Sequence, residues 1–148
     1  SLTANLNGSI PDSISSLTQL CELTLTNNNL TGSIPNGIAK LSYLTLLSLS
    51  YNALTGSIPK SIYRLPLLNH LSLSYNTLTG SIPTDIRTLS TVLTYLSLAN
   101  NNLTGTIPSD IVTLGQLNYL YETPPLRLGL STHDEYPHLE WALCHCLV

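Results

Sequence analysis

Residues 44–59 read Leu44-Thr45-Leu46-Leu47-Ser48-Leu49-Ser50-Tyr51-Asn52-Ala53-Leu54-Thr55-Gly56-Ser57-Ile58-Pro59. Leu47 and Leu49 alternate with Ser48 and Ser50, the period of a strand with one buried face. Working outward, the Gly-Ser-Ile-Pro segment at 56–59 returns at 8–11, 32–35 and 80–83, and as Gly-Thr-Ile-Pro at 105–108. The glycines at 8, 32, 56, 80 and 105 give steps of 24, 24, 24 and 25 residues. The leucine pattern keeps step. Leu20, Leu23, Leu25, Asn28 and Leu30 match Leu44, Leu47, Leu49, Asn52 and Leu54. The same spacing recurs through Leu71, Leu73 and Asn76, and again through Leu96, Leu98 and Asn101. A motif L-x-x-L-x-L-x-x-N-x-L repeated four times at a fixed period is an internal repeat.

One such unit cannot bury its own leucine row, so stability must come from stacking units on each other. Asn28, Asn52, Asn76 and Asn101 fall where the chain turns out of each strand. A side-chain amide there can bond backbone groups of neighbouring coils that otherwise lack partners, which predicts a structural asparagine ladder. The following P-x-x-I-x-x-L half-repeat places apolar residues three apart, the spacing of a short 3₁₀ turn. Pro opens it with φ preset. The expected fold is an α/β-type solenoid of about five 24-residue repeats over residues 1–121. The extra residue of the fourth unit, around Ser90–Leu93, is expected to form an outer bulge.

Composition narrows the function. Charged residues are 9% of the 148, against roughly 25% in ordinary domains. Solubility then rests on Ser, Thr and Asn, or on attached sugar. Five Lys and Arg spread along a chain of net charge −3 form no basic stripe, which argues against nucleic acid. No apolar run reaches the roughly 18 residues needed to span a bilayer. The sequence starts at Ser1 and holds no Met, so an N-terminal segment is expected to have been removed or to be missing.

The motif L-x-x-L-x-L-x-x-N-x-L-T-G-S-I-P-x-x-I-x-x-L closely resembles the plant-specific class of extracellular leucine-rich repeats. That class includes ectodomains of receptor kinases and receptor-like proteins, polygalacturonase inhibitors and some antifreeze proteins. The resemblance implies a right-handed coil with a parallel β-sheet on the concave face and a 3₁₀ or irregular convex side. It also implies a second short strand near the L-T-G-S-I-P segment, and an extracellular location (secreted, cell wall or cell-surface ectodomain). The N-terminal cap usual in the class, with paired Cys and a Trp, does not precede Ser1, and the first ladder position falls on Ala4.

Between the leucines, strand residues are expected to point outward and form columns. One column is Glu22, Leu46, His70 and Tyr95. Two hydroxyl columns follow, Thr24, Ser48, Ser72 and Ser97, then Thr26, Ser50, Ser74 and Ala99. A flanking column is Asn27, Tyr51, Tyr75 and Asn100. The hydroxyl columns read as a solvated spacer or as part of a contact platform anchored by Tyr51, Tyr75, Tyr95 and His70, since Tyr joins apolar area to a hydroxyl. Rows of Thr31, Thr55, Thr79 and Thr104, with Ser33, Ser57, Ser81 and Thr106 two residues on, suit ordered water, ice or a sugar surface. Asn7, Asn29 and Asn102 each begin an Asn-x-Ser/Thr glycosylation acceptor.

Three function classes follow. The first is an extracellular binding module that recognises a protein, peptide or polysaccharide through its concave or lateral face. The second is a glycosylated fibre built by end-to-end self-association through open repeat ends. The third is an ice- or surface-binding protein. An enzyme is not expected. Catalysis needs a positioned nucleophile, base or carboxylate pair, and Glu22 and His70 sit two coils apart. No cofactor is expected.

Residues 122–148 differ in kind, with three of the four His, the one Trp, and Cys144 and Cys146. They read as a C-terminal cap or irregular tail covering the last leucine row. His133, Asp134, His138, Cys144, His145 and Cys146 match no standard zinc spacing, so no metal is expected. Cys144 and Cys146 are too close in sequence for a favourable bridge, and a bridge to Cys21 would cross the stack.

Overall fold

The computed structural model describes residues 5–114, 119–121 and 127–128. Five parallel strands, Glu22–Thr24, Leu46–Ser48, His70–Ser72, Tyr95–Ser97 and Tyr119–Tyr121, lie side by side in chain order as one sheet. Leu23, Leu47, Leu71, Leu96 and Leu120 share one register row. Leu47, Leu71 and Leu96 are wholly buried, because each leucine is covered by the coils on both sides.

The outer side is built from short 3₁₀ helices: Asp12–Ser16, Asn36–Lys40, Lys60–Arg64, Thr84–Leu89 and Ser109–Thr113. Each follows a proline, Pro11, Pro35, Pro59, Pro83 or Pro108, in extended backbone. The proline carbonyl accepts the first turn's bond from the isoleucine three residues on, as from Ile38 to Pro35 at 3.2 Å. That turn points the Ile and the Leu three residues later toward the core, so Ile62 and Leu65 are buried together. The extra residue of the fourth unit lengthens its helix to six residues. The Leu93 N–H then reaches back to the Leu89 carbonyl at 2.9 Å. The sheet register is undisturbed, with His70 still opposite Tyr95.

A second line of parallel pairing runs beside the main sheet. Asn7–Ser9 pairs with Asn29–Thr31, Thr79–Gly80 with Asn102–Leu103, and Thr106–Ile107 with Arg127–Leu128. Ser33–Thr55 and Ser57–Thr79 add single bridges. Gly32 turns the chain at φ +74, and a Cβ there would sit 3.3 Å from the Ser9 Cβ of the preceding coil. Both the sign of φ and the close approach call for Gly.

The asparagine ladder binds coil to coil. Asn52 Oδ1 accepts from the Leu30 N–H at 3.0 Å. Its Nδ2 donates to the Leu49 and Ser50 carbonyls of its own coil and to the Leu25 carbonyl of the coil before. Asn76 repeats the pattern with Leu54, Leu73, Ser74 and Leu49. Asn101 does so with Leu78, Leu98, Ala99 and Leu73.

The N-terminal coil has no neighbour among the described residues on its outer side. Leu6 is 42% exposed and Leu17 51%, although Leu17 is equivalent to the buried Leu41 and Leu65. The ladder position at Ala4, the residues of 122–148 other than Arg127 and Leu128, the metal candidates and Cys144–Cys146 lie outside the described residues. Cys21 is exposed and has no disulfide partner among the described residues.

Candidate binding face

On the concave sheet, Glu22, Leu46, His70 and Tyr95 stand in register, as expected, and the backbone register continues to Tyr119. The His70 and Tyr95 rings stack at 4.0 Å between centroids and 3° between planes. Partial burial holds the His70 imidazole below its ordinary pKa. Glu22 sits two strands away from His70, on the far side of Leu46.

The hydroxyl columns differ from expectation. Ser50, Ser72, Ser74 and Ser97 are buried rather than solvated. They pair diagonally between coils: Thr26 Oγ1 with Ser48 Oγ at 2.7 Å, Ser50 with Ser72 at 2.7 Å, and Ser74 with Ser97 at 2.5 Å. Short side chains on a closely spaced parallel sheet are recessed, and each hydroxyl spends its bonding on its neighbour. The band is therefore a floor. Thr24, at the exposed edge strand, keeps its access to solvent.

The fourth column is the unusual one. Asn27, Tyr51, Tyr75 and Asn100 have φ of 61°, 57°, 53° and 54°. The chain must leave the strand here so that the next residue can enter the asparagine ladder. Asn tolerates this left-handed backbone, whereas a bulky Tyr in it is an outlier. Nevertheless Tyr51 and Tyr75 occupy the two central coils, 52% and 47% exposed. Their rings stack at 4.3 Å and 9°. Because the two residues belong to consecutive coils, the stacking direction runs along the solenoid. Two aromatic stacks thus flank a recessed hydroxyl floor.

Other features lie apart from this face. A groove of about 730 Å³ on the outer flank runs between the Gly-Ser-Ile-Pro segments of two coils, lined by Ser57, Pro59, Lys60, Arg64, Ser81 and Pro83 among others. The exposed Lys60 meets Asp85 there at 3.4 Å. A polar recess of about 410 Å³ is lined by Asn5, Asn7, Asn27, Asn28 and Asn29. Tyr63 is buried in the outer helix Lys60–Arg64, and its hydroxyl has no partner among the described residues. The Thr31, Thr55, Thr79 and Thr104 row is exposed along one flank, as are Asn7, Asn29 and Asn102. Among the described residues, no group of three His, Cys, Asp or Glu is placed to hold a metal ion. No helix among them is long and apolar enough to cross a membrane.

Two leucine-rich-repeat family models match, one over residues 18–78 and one over 92–114. Solved structures agree with them. The ectodomain of the receptor kinase SOBIR1 from Arabidopsis thaliana is 32% identical, with a TM-score of 0.76, over 87% of this chain and 70% of that one. The ectodomain of the plant membrane receptor kinase GASSHO1/SCHENGEN3 from Arabidopsis thaliana, solved in complex with CASPARIAN STRIP INTEGRITY FACTOR 2, is 39% identical (TM-score 0.74) over 81% of this chain and 14% of that one. The Arabidopsis receptor kinase HAESA, solved in complex with the peptide hormone IDA and the co-receptor SERK1, is 38% identical (TM-score 0.74) over 79% and 20%. The chain belongs to the plant extracellular leucine-rich-repeat family. It spans about a fifth or less of the length of the GASSHO1/SCHENGEN3 and HAESA chains. No curated protein sequence matches it.

Proposed function

We propose that this chain is a non-catalytic recognition module of the extracellular space, and that its concave face binds an extended peptide. The Tyr51–Tyr75 pair carries the reading. Left-handed backbone costs an L-residue on the order of 1–2 kcal/mol, and Asn27 and Asn100 show what suits the position better. Strain kept at an exposed surface points to use of the side chain. Stacking pre-orders the two rings, which lowers the entropy cost of binding.

Ring orientation favours a peptide over a flat sugar ring. Pyranose stacking needs open ring faces, whereas each of these rings has one face taken by its stacking partner. Tyr edges and hydroxyls suit backbone amides and carbonyls. HAESA, solved in complex with a peptide hormone, supports the same choice.

The test is selection of linear peptides from a random phage library on the wild-type protein, followed by affinity measurement on a Tyr51→Ala, Tyr75→Ala double variant. A loss of about tenfold or more is expected for contact anchors of this kind. Unchanged affinity counts against the concave site.

A further inference from the structure

Asn29, Ala53, Thr77 and Asn102 are equivalent positions in four consecutive coils. Their N–H groups make the same bond, to the carbonyls of Leu6, Leu30, Leu54 and Leu78. Asn29 and Asn102 begin acceptor motifs completed by Thr31 and Thr104, and all four residues are exposed. The two coils between them carry no acceptor at this position. Those are the two coils whose left-handed residue, two positions earlier, is Tyr51 or Tyr75. In the flanking coils that residue is Asn27 or Asn100. Where the turn carries Tyr, the acceptor is missing; where it carries Asn, the acceptor is present.

We propose that Asn29 and Asn102 carry N-linked glycans that frame a sugar-free window over the Tyr51 and Tyr75 coils, and that an extended peptide reaches the concave face through it. The proposal rests on the concave-face reading above. In the modification, the Asn Nδ2 forms a bond to the anomeric carbon of a lipid-diphosphate-linked oligosaccharide. The anomeric C–O bond to the diphosphate breaks, the lipid diphosphate leaves as the anion, and the amide gives up one proton.

The window has a definite size. Asn29 and Asn102 are three coil steps apart, roughly 14 Å at about 4.8 Å per strand. That admits a single extended chain between two glycans and keeps a broad folded partner off the flank. Ala53 is half-buried and Thr77 spends its hydroxyl on the Leu54 carbonyl at 2.8 Å, so the sill of the window is low.

The repeat supplies its own probe. Ala53→Asn completes an Asn-x-Thr acceptor with Thr55, and Thr77→Asn does so with Thr79. Both put Asn where Asn29 and Asn102 already sit, so the fold accepts them. Wild-type protein and variants are secreted from a eukaryotic host, and glycan occupancy is read by mass spectrometry of glycopeptides. Affinity is then measured for the linear peptides selected on the wild type.

Asn29 and Asn102 are expected to be occupied. The glycosylated Ala53→Asn and Thr77→Asn forms are expected to lose about tenfold or more in affinity, a step of about 1.4 kcal/mol. Ala53→Gln, and Ala53→Asn combined with Thr55→Ala, cannot be glycosylated there and are expected to bind as wild type. Asn29→Gln and Asn102→Gln are expected to leave affinity unchanged. Vacant Asn29 and Asn102, or full binding by a glycosylated Ala53→Asn form, overturns the proposal. If binding still falls with the Tyr51→Ala, Tyr75→Ala variant, only the window fails. If that variant also binds normally, the concave-face reading fails with it.

Discussion

Asn76 Oδ1 accepts a hydrogen bond from the Leu54 N–H at 3.0 Å, one coil back, and the Asn76 side chain is 8% exposed. Removing it takes an acceptor from that buried N–H, and a donor from each of the Leu49, Leu73 and Ser74 carbonyls. A buried group left unsatisfied costs about 1–3 kcal/mol. Asn76→Ala is therefore expected to destabilise by about 3 kcal/mol or more. Asn28 is half-buried and serves the exposed Leu6 N–H, so Asn28→Ala is expected to cost about 1 kcal/mol. Urea midpoints measure both, and equal shifts would show that the ladder does not matter in this way.

The left-handed column can be tested by comparing two substitutions that both break the Tyr51–Tyr75 stack. Tyr51→Asn suits φ 57°, whereas Tyr51→Ala does not. The Asn variant is expected to be more stable than the Ala variant by about 1 kcal/mol. If the two melt together, the backbone strain assigned to Tyr51 is absent.

Core and edge leucines should separate cleanly. Leu71 is wholly buried between two coils, whereas Leu17 is 51% exposed on the N-terminal coil. Leu71→Ala is expected to cost about 2–5 kcal/mol. For Leu17→Ala the expectation is well under 1 kcal/mol, in the range of surface changes. A costly Leu17→Ala in dilute solution would mean that this edge is covered, and sizing would then show by what.

His70 gives a pH dependence of definite sign. Desolvation lowers its folded-state pKa below the unfolded value. Around that range the unfolded chain binds more protons, so stability rises with pH. The neutral form's contribution is present above the ordinary imidazole range and is lost as pH falls through it. Acidifying from about pH 7.5 to about pH 5 should lower the urea midpoint, and His70→Gln should flatten part of that slope. A slope unchanged in His70→Gln assigns the effect elsewhere. Among the described residues, Tyr95 is stacked on His70 and Glu22 stands two strands away in the same column.

The solenoid was largely legible because its signals are periodic. Leu47 and Leu71 had to face inward for any stack to form, and Asn52 and Asn76 fell where a turn needs an amide. The face was less legible. Alternation places Ser50 and Ser74 outward, but it does not say how deep a short side chain lies on a tightly spaced sheet. Nor does it show that Ser50 pairs diagonally with Ser72, since that bond depends on the stagger between coils. The left-handed backbone at Tyr51 and Tyr75 was hidden by residue identity: Tyr is a poor marker for it, and Asn27 and Asn100 were its only local hint. The extra residue near Ser90 falls on the outer arc, where it extends the 3₁₀ helix by one position instead of forming a separate bulge.

That longer helix shows where this architecture has slack. The step from 24 to 25 residues is absorbed wholly between Thr84 and Leu93, and Tyr95 still meets His70 with no slip. Insertions on the outer arc leave every inner column aligned, whereas one inserted between Leu71 and Ser72 would turn the Ser72 and Ser74 side chains to the opposite face. Drift in coil length is thus confined to the back of the molecule, and its front can vary only by exchange of side chains.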